Sequence, residues 1–237
     1  MSSVRLVNAA SVDDADGDGI KDVDEISIYH TDPNNPDTDG DGYDDRKELI
    51  NGYSPYNSEP KIKLEKSDAD KDGLNDRMEL NFKTDPTNPD TDGDGYKDGD
   101  EIKQGYDPLN IEKVKLAKRI EVDLKKQELS YFLNGVRMDK FKVSTGKAST
   151  PTPKGTFTIG NKHPKAWSKA YGLWMPYWQG IAGGRFGFHE LPEWPGGKKE
   201  GANHLGIPVS HGCIRLGVGP AKILYNWAEV GTPVKIY

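Results

Sequence analysis

The sequence predicts a two-part chain: a repeat region of acidic loops with short helices, followed by a mainly β domain carrying one short helix. Three observations predict it. Residues 1–112 hold 30 Asp and Glu against 12 Lys and Arg, and residues 113–237 hold 8 against 20, so the two parts carry opposite charge. The run Asp37-Thr38-Asp39-Gly40-Asp41-Gly42-Tyr43 recurs as Asp90-Thr91-Asp92-Gly93-Asp94-Gly95-Tyr96. From Arg119 onward, short apolar–polar alternations replace the repeat, and a period of two is that of half-buried strands. A chain of 237 residues holds one or two domains, and 34% hydrophobic residues fill one sizeable core rather than two.

The repeat region is expected over residues 13–110, as two tandem pairs at 13–60 and 67–110 joined by Lys61–Ser67. The pattern D-x-D-x-D-G-x-x-D-x-x-E fits four times. The first loop offers Asp14, Asp16, Asp18, Asp22 and Glu25, with Gly19 at the sixth position. The second offers Asp37, Asp39, Asp41, Asp45 and Glu48 around Gly42. The third offers Asp68, Asp70, Asp72, Asp76 and Glu79 around Gly73. The fourth offers Asp90, Asp92, Asp94, Asp98 and Glu101 around Gly95. Calcium takes six to eight oxygens at flexible distances, so alternating carboxylates can wrap it while Gly allows the sharp turn. The seventh-position carbonyls of Ile20, Tyr43, Leu74 and Tyr96 would add an oxygen each. The last residues of each loop open a short helix, whose N-terminus tolerates acid. A solvated acidic run has no reason to place Gly at the sixth position four times, so structural Ca2+ is the expected cofactor. Paired EF-hands do not fit, because Pro33 and Pro36 interrupt the eleven residues between Glu25 and Asp37.

The second domain is expected over residues 117–237. Strands are read at Ile120–Leu124, Phe141–Val143, Thr156–Ile159 and Thr232–Tyr237. Asn134-Gly135 between two apolar runs marks a tight hairpin. A helix is read at about Pro220–Glu229, where Ala221, Leu224, Tyr225 and Ala228 share a face. The aromatics Trp174, Tyr177 and Trp178 suit either a core or the wall of a groove.

The chain has a single cysteine, Cys213, so no intramolecular disulfide forms. A lone cysteine is ordinarily a small buried hydrophobe. Its neighbours in Ser210-His211-Gly212-Cys213-Ile214-Arg215 point elsewhere, because a nearby base or cation makes a thiolate nucleophile. Gly212 permits close backbone approach, and the N–H groups of Gly212 and Cys213 are candidate oxyanion donors. On a strand, Arg215 would face the same side as Cys213. His211 is read as a loop-fixing residue. A zinc site from His189, His204, His211 and Cys213 is conceivable, but metal there would block the nucleophile.

Ser-His-Gly-Cys-Ile-Arg resembles the signature of L,D-transpeptidases of the YkuD type. Met175-Pro176-Tyr177-Trp178 with Gly187-Phe188-His189, and Thr150-Pro151-Thr152-Pro153-Lys154-Gly155-Thr156-Phe157, are similar to further runs of that family. The resemblance covers residues 117–237. It implies a β-sandwich-like domain, Cys213 as nucleophile and His189 as base, with His204 the competitor. It also implies that the Glu190 backbone carbonyl orients the imidazole and that the Glu190 side chain is free to vary. Ser210, His211, Gly212 and Arg215 complete the catalytic set. The longer segment Trp194–Lys199 suits an extended loop. The acidic repeats resemble bacterial thrombospondin type 3 repeats over residues 13–110, which implies a calcium-stiffened spacer; a dockerin, which plugs into a partner, usually has two such loops.

These resemblances imply 3→3 cross-linking of peptidoglycan stem peptides through a thioester. Trimming by L,D-carboxypeptidase chemistry, or a calcium-dependent wall-binding spacer with an idle domain, are the alternatives. The basic half suits the free carboxylates of peptidoglycan, and no nucleic-acid motif is present. No apolar run is long enough to span a membrane. Met1–Val12 lacks a charged start followed by an apolar stretch and is not a complete signal peptide. The expected setting is extracytoplasmic, in periplasm or wall, as a monomer, with a wall-associated protein as a further partner.

Overall fold

A computed structural model describes residues 13–237; the leader expectation at Met1–Val12 lies outside the described residues. The chain divides into two compact units, one ending at Lys115 and one spanning Leu116–Tyr237.

In the first unit each acidic loop runs into a short helix: Asp22–Asp24 (α1) continued by a wider turn at Glu25–Tyr29, Asp45–Asn51 (α2), Asp76–Phe82 (α3) and Asp98–Gln104 (α4). Short polar side chains start two of them. Asp44 accepts a hydrogen bond from Lys47 N–H at 2.8 Å, and Asn75 from Met78 N–H at 3.1 Å. Each satisfies a donor that the first helical turn leaves open. Left-handed residues end the helical segments at His30, Gly52, Lys83 and Gly105. The unit has few buried apolar side chains, among them Leu64, Phe82 and Ile102, while buried acids such as Asp45, Asp76, Glu79 and Asp98 occupy its interior. Its order therefore depends on how those charges are met.

The second unit is one nine-stranded sheet. The strands are β1 Lys118–Asp123, β2 Glu128–Leu133, β3 Val136–Ser144, β4 Gly155–Thr158, β5 Asn161–Ser168, β6 Leu173–Ile181, β7 Phe186–Glu190, β8 Ile214–Leu216 and β9 Pro233–Ile236. Their order is β4-β9-β1-β2-β3-β8-β7-β6-β5. Ile120 and Val122 of β1, Leu129 of β2, Ile181 of β6, Phe188 of β7 and Ile214 of β8 belong to one buried cluster. Strands from both halves of a single sheet reach one core because the sheet curls over it. The domain is thus mainly β, as the alternation predicts, with a curled sheet closing the core.

Asn134 and Gly135 take φ of 45° and 87°, the positive pair that a two-residue hairpin needs, and Leu133 pairs with Val136 across it. The helix α5 (Pro220–Trp227) packs Ala221 and Leu224 inward, with Ala228 buried just beyond it. It stops two residues short of the expected Glu229, where Lys162 Nζ reaches the carbonyls of Tyr225 and Ala228 and satisfies the helix end. The β5–β6 hairpin was not legible as strands. Pro164 lies on an edge strand, and Pro176 lies in the stretch of β6 that β7 does not reach.

Candidate active site

Strands β7 and β8 run parallel, with Phe188 beside Ile214 and His189 beside Arg215. Phe188 and Ile214 are fully buried on the core face. Side chains alternate along a strand, so His189, Arg215 and Cys213 share the opposite face. All three line a cavity of about 610 Å³. Gly187 lies next to His189's pair on this face, and a Cβ there would come within 2.6 Å of Gln179 O and 2.8 Å of the Trp178 ring. The glycine lets the strand pass beneath Trp178, whose indole lies over the His189 imidazole with centroids 6.2 Å apart. Trp178 Nε1–H is in turn anchored to Asn161 Oδ1 at 2.9 Å.

The protonation of His189 follows from one contact. Its Nδ1 lies 2.5 Å from the Glu190 carbonyl, which can only accept, so Nδ1 carries the proton. The neutral ring then keeps its Nε2 lone pair as a base. Burial first, with Arg215 adding to it, pushes His189 down to about 4 against the pull of the Glu190 carbonyl. Burial also raises the Cys213 thiol, while a backbone hydrogen bond with Gly187 and the Arg215 charge oppose it. The resting pair is therefore a neutral thiol and a neutral imidazole.

The loop carrying Cys213 is held from several sides. Ser210 is fully buried; its hydroxyl donates to Cys213 O at 2.6 Å and accepts from Gly212 N–H at 3.1 Å. Gly212 N–H is thus already bonded to Ser210 Oγ in the resting site. Among the described residues Cys213 N–H has no protein acceptor and remains available. Gly212 has φ of 111°, and a Cβ would meet the Phe186 ring at 2.5 Å, so glycine is required there. Thr152 Oγ1 donates to Gly212 O at 2.8 Å, and Thr150 Oγ1 to Ser210 O at 3.2 Å. The Thr-Pro-Thr-Pro run thus braces the cysteine loop. The sequence showed the run but not this role, since its partners lie sixty residues away in the chain.

Other site residues differ from expectation. His211 is exposed, lines the cavity and packs on Tyr171 at 4.8 Å, rather than fixing its loop by side-chain hydrogen bonds. The Glu190 side chain is buried and ion-paired with Lys199. That pair ties the extra loop to the strand bearing His189, and Trp194 of the same loop lines the cavity. Arg215 keeps its buried Nε without a hydrogen-bond partner. Tyr177 packs against the core and Tyr225, whereas Trp178 walls the cavity. His204 sits in a tight turn at Ala202–His204, away from the cavity lining. Among the described residues the histidines and Cys213 form no metal-ligating group, so the zinc alternative has no geometric support.

The acidic loops offer their own oxygens to a cation. The acids at the first, third and fifth positions of every loop bring one oxygen each within 4.8 Å of one another. The third-position acids Asp16, Asp39, Asp70 and Asp92 each keep a buried oxygen with no hydrogen-bond partner. So do the twelfth-position acids Glu25, Glu48, Glu79 and Glu101. Sixth-position glycines all take φ between 94° and 97°. The donor set fits calcium. The ninth-position acids also close each loop on itself: Asp22, Asp45, Asp76 and Asp98 accept from the N–H of Ala15, Thr38, Ala69 and Thr91 at 2.7–3.0 Å. Without a cation the buried acids sit in each other's field. Burial, then Asp70 and Asp72, pushes Glu79 up to about 9, and burial with Asp39 and Asp41 pushes Glu48 to about 8.

The family model described as L,D-transpeptidase catalytic domain matches residues 117–236, and the bacterial TSP3 repeat model matches 14–36, 37–52, 68–89 and 90–111. The chain is similar to "Putative L,D-transpeptidase YciB" of Bacillus subtilis (strain 168), at 34% identity over 125 residues, which are 49% of this chain and 64% of that protein. Among solved structures, an L,D-transpeptidase from Mycobacterium smegmatis aligns at 25% identity and TM-score 0.45, over 52% of this chain and 59% of that one. One from Stackebrandtia nassauensis aligns at 31% identity and TM-score 0.44, over 52% of this chain and 57% of that one. The chain therefore spans less than two thirds of the length of these relatives. Among the described residues no helix is long and apolar enough to cross a membrane.

Proposed function

The chain belongs to the L,D-transpeptidase catalytic domain (YkuD) family, and from that premise we propose that it transfers acyl groups between peptidoglycan stem peptides. The observation that carries this reading is the common face of β7 and β8, which presents Cys213, His189 and Arg215 to one cavity. His189 Nε2 takes the proton of the Cys213 thiol as the sulfur attacks the carbonyl of the third stem residue, at a bond joining an L to a D centre. Cys213 N–H stabilises the oxyanion, and Arg215 favours the thiolate. The C–N bond breaks, His189 returns the proton to the leaving D-alanine, and a thioester remains. An amine of a neighbouring stem then attacks the thioester, the C–S bond breaks, His189 passes the amine proton to the departing Cys213 sulfur, and a 3→3 cross-link results; water in place of the amine gives a carboxypeptidase. Calcium, when bound, neutralises and orders the acidic loops, which act as a stiff spacer. The substrate places this work outside the cytoplasmic membrane.

A carbapenem separates this reading from a spacer with an idle domain. Intact mass after incubation should show one adduct on the wild-type chain and none on Cys213→Ser. An unmodified wild-type chain would overturn the reading.

The acid limb of the rate gives a second check. A base held at about 4 by burial stays unprotonated well below the ordinary histidine range. The acid limb of kcat/KM should therefore lie well below pH 6.5, since loss of activity follows protonation of the folded, not the free, imidazole. A limb centred on 6.5 would show an exposed base instead.

A further inference from the structure

We propose that the third calcium site is built by two repeats: Asp98 of the fourth loop supplies a carboxylate oxygen to the ion held by Asp72 and Glu79 of the third. This rests on the calcium reading above and goes beyond loops that each hold an ion alone. Filling the site would lock the second tandem pair into one unit.

One oxygen from each of Asp72, Glu79 and Asp98 lies within 4.8 Å of the others, and all three residues are buried. Glu79 is 0% exposed, and neither of its carboxylate oxygens has a hydrogen-bond partner. A carboxylate buried in this way needs a cation or a donor, and none of the surrounding side chains in the cluster is a donor. Asp98 is already aimed, because Thr91 N–H and Thr91 Oγ1 hold its two oxygens at 3.0 and 2.5 Å. The fourth repeat also approaches closely. Gly99 N–H donates to Asp72 Oδ2 at 2.5 Å, and a Cβ on Gly99 would come within 2.8 Å of Asp72 O. Glycine at this position permits the contact.

The first pair has a counterpart arrangement. Arg46 N–H donates to Asp18 Oδ2 at 3.1 Å, and Glu25 and Asp45 are 0% exposed. There the Thr31 hydroxyl donates to Glu25 Oε1 at 3.0 Å. Its equivalent in the second pair, Thr84, has no partner. Glu79 is thus left wholly to the cation, and the third site is the one that most needs Asp98.

Calorimetric calcium titration of the full chain tests this with Glu101→Gln and Asp98→Asn. Glu101→Gln removes the closing acid of the fourth loop and should cost one site. Asp98→Asn loosens the closure of the fourth loop and should cost that site, and it should also weaken another at least about ten- to a hundredfold, since losing a ligand costs no less than losing a group that positions one. Hydrogen exchange on Glu79→Gln, at calcium that half-fills the wild type, gives an independent arm that decides the matter if Asp98→Asn does not fold. It should lose protection across Asp98–Gln104, in the repeat it does not belong to. Unchanged protection there, with Asp98→Asn matching Glu101→Gln in sites and affinities, would overturn the shared site and leave four independent ones. A wild-type chain that takes up no calcium would instead sink the calcium reading itself.

Discussion

Cys213→Ala is expected to abolish release of D-alanine from tetrapeptide stems, with a fall on the order of 10⁶-fold, the scale seen when a covalent catalyst loses its nucleophile. The change should cost little in folding. Cys213 is only partly buried and faces the cavity, not the core cluster that holds Ile214 and Leu216. Ser210 bonds the Cys213 carbonyl and Gly212 N–H, contacts that do not involve the thiol. His189→Ala should also remove most of the rate, by leaving the raised thiol without a base. His204→Ala should not, because His204 does not line the cavity. Chromatographic assay of D-alanine across the three variants checks this. Retained turnover in Cys213→Ala would refute the nucleophile, and a larger loss in His204→Ala than in His189→Ala would refute the base.

The sequence showed most clearly what depends on local pattern. Four acidic loops with glycine at a fixed position could be read directly, because the whole pattern of each lies within twelve consecutive residues. The Asn134-Gly135 hairpin was legible for the same reason. Contacts between distant segments were not. Nothing near Thr152 in the chain tells that its hydroxyl holds Gly212 O, and nothing in Glu190 tells that Lys199 neutralises it. Spacing alone did not show that the ninth-position acids also accept from backbone N–H groups at the second position of the same loop. Trp178 could be named as core or groove. Only the register of β6 against β7 places it over His189 while its neighbour Tyr177 turns to the core.

Removing calcium should destabilise the repeat unit, most strongly at high pH, and leave the β domain as it was. The repeat unit has few buried apolar side chains, so it lacks the area that would hold it without cations. Its buried acids also act against it. Glu79, Glu48, Glu25 and Glu101 are pushed up to about 9, 8, 7 and 7 from an ordinary 4.5, in each case first by burial. In the calcium-free chain the folded unit therefore binds more protons than the unfolded chain between pH 4.5 and those values. Stability is then fully present below the unfolded value and is lost as pH rises through the folded ones. With chelator, the melting temperature of the repeat unit should fall steadily from pH 5 to pH 8. With excess calcium the slope should reverse, because the ion competes with protons for the same oxygens and binds better as they leave. Circular dichroism melts with and without chelator read both slopes, and hydrogen exchange assigns the loss to residues before Lys115. A chelator-insensitive melt, with no heat of calcium binding, would show that the acidic loops hold no structural ion.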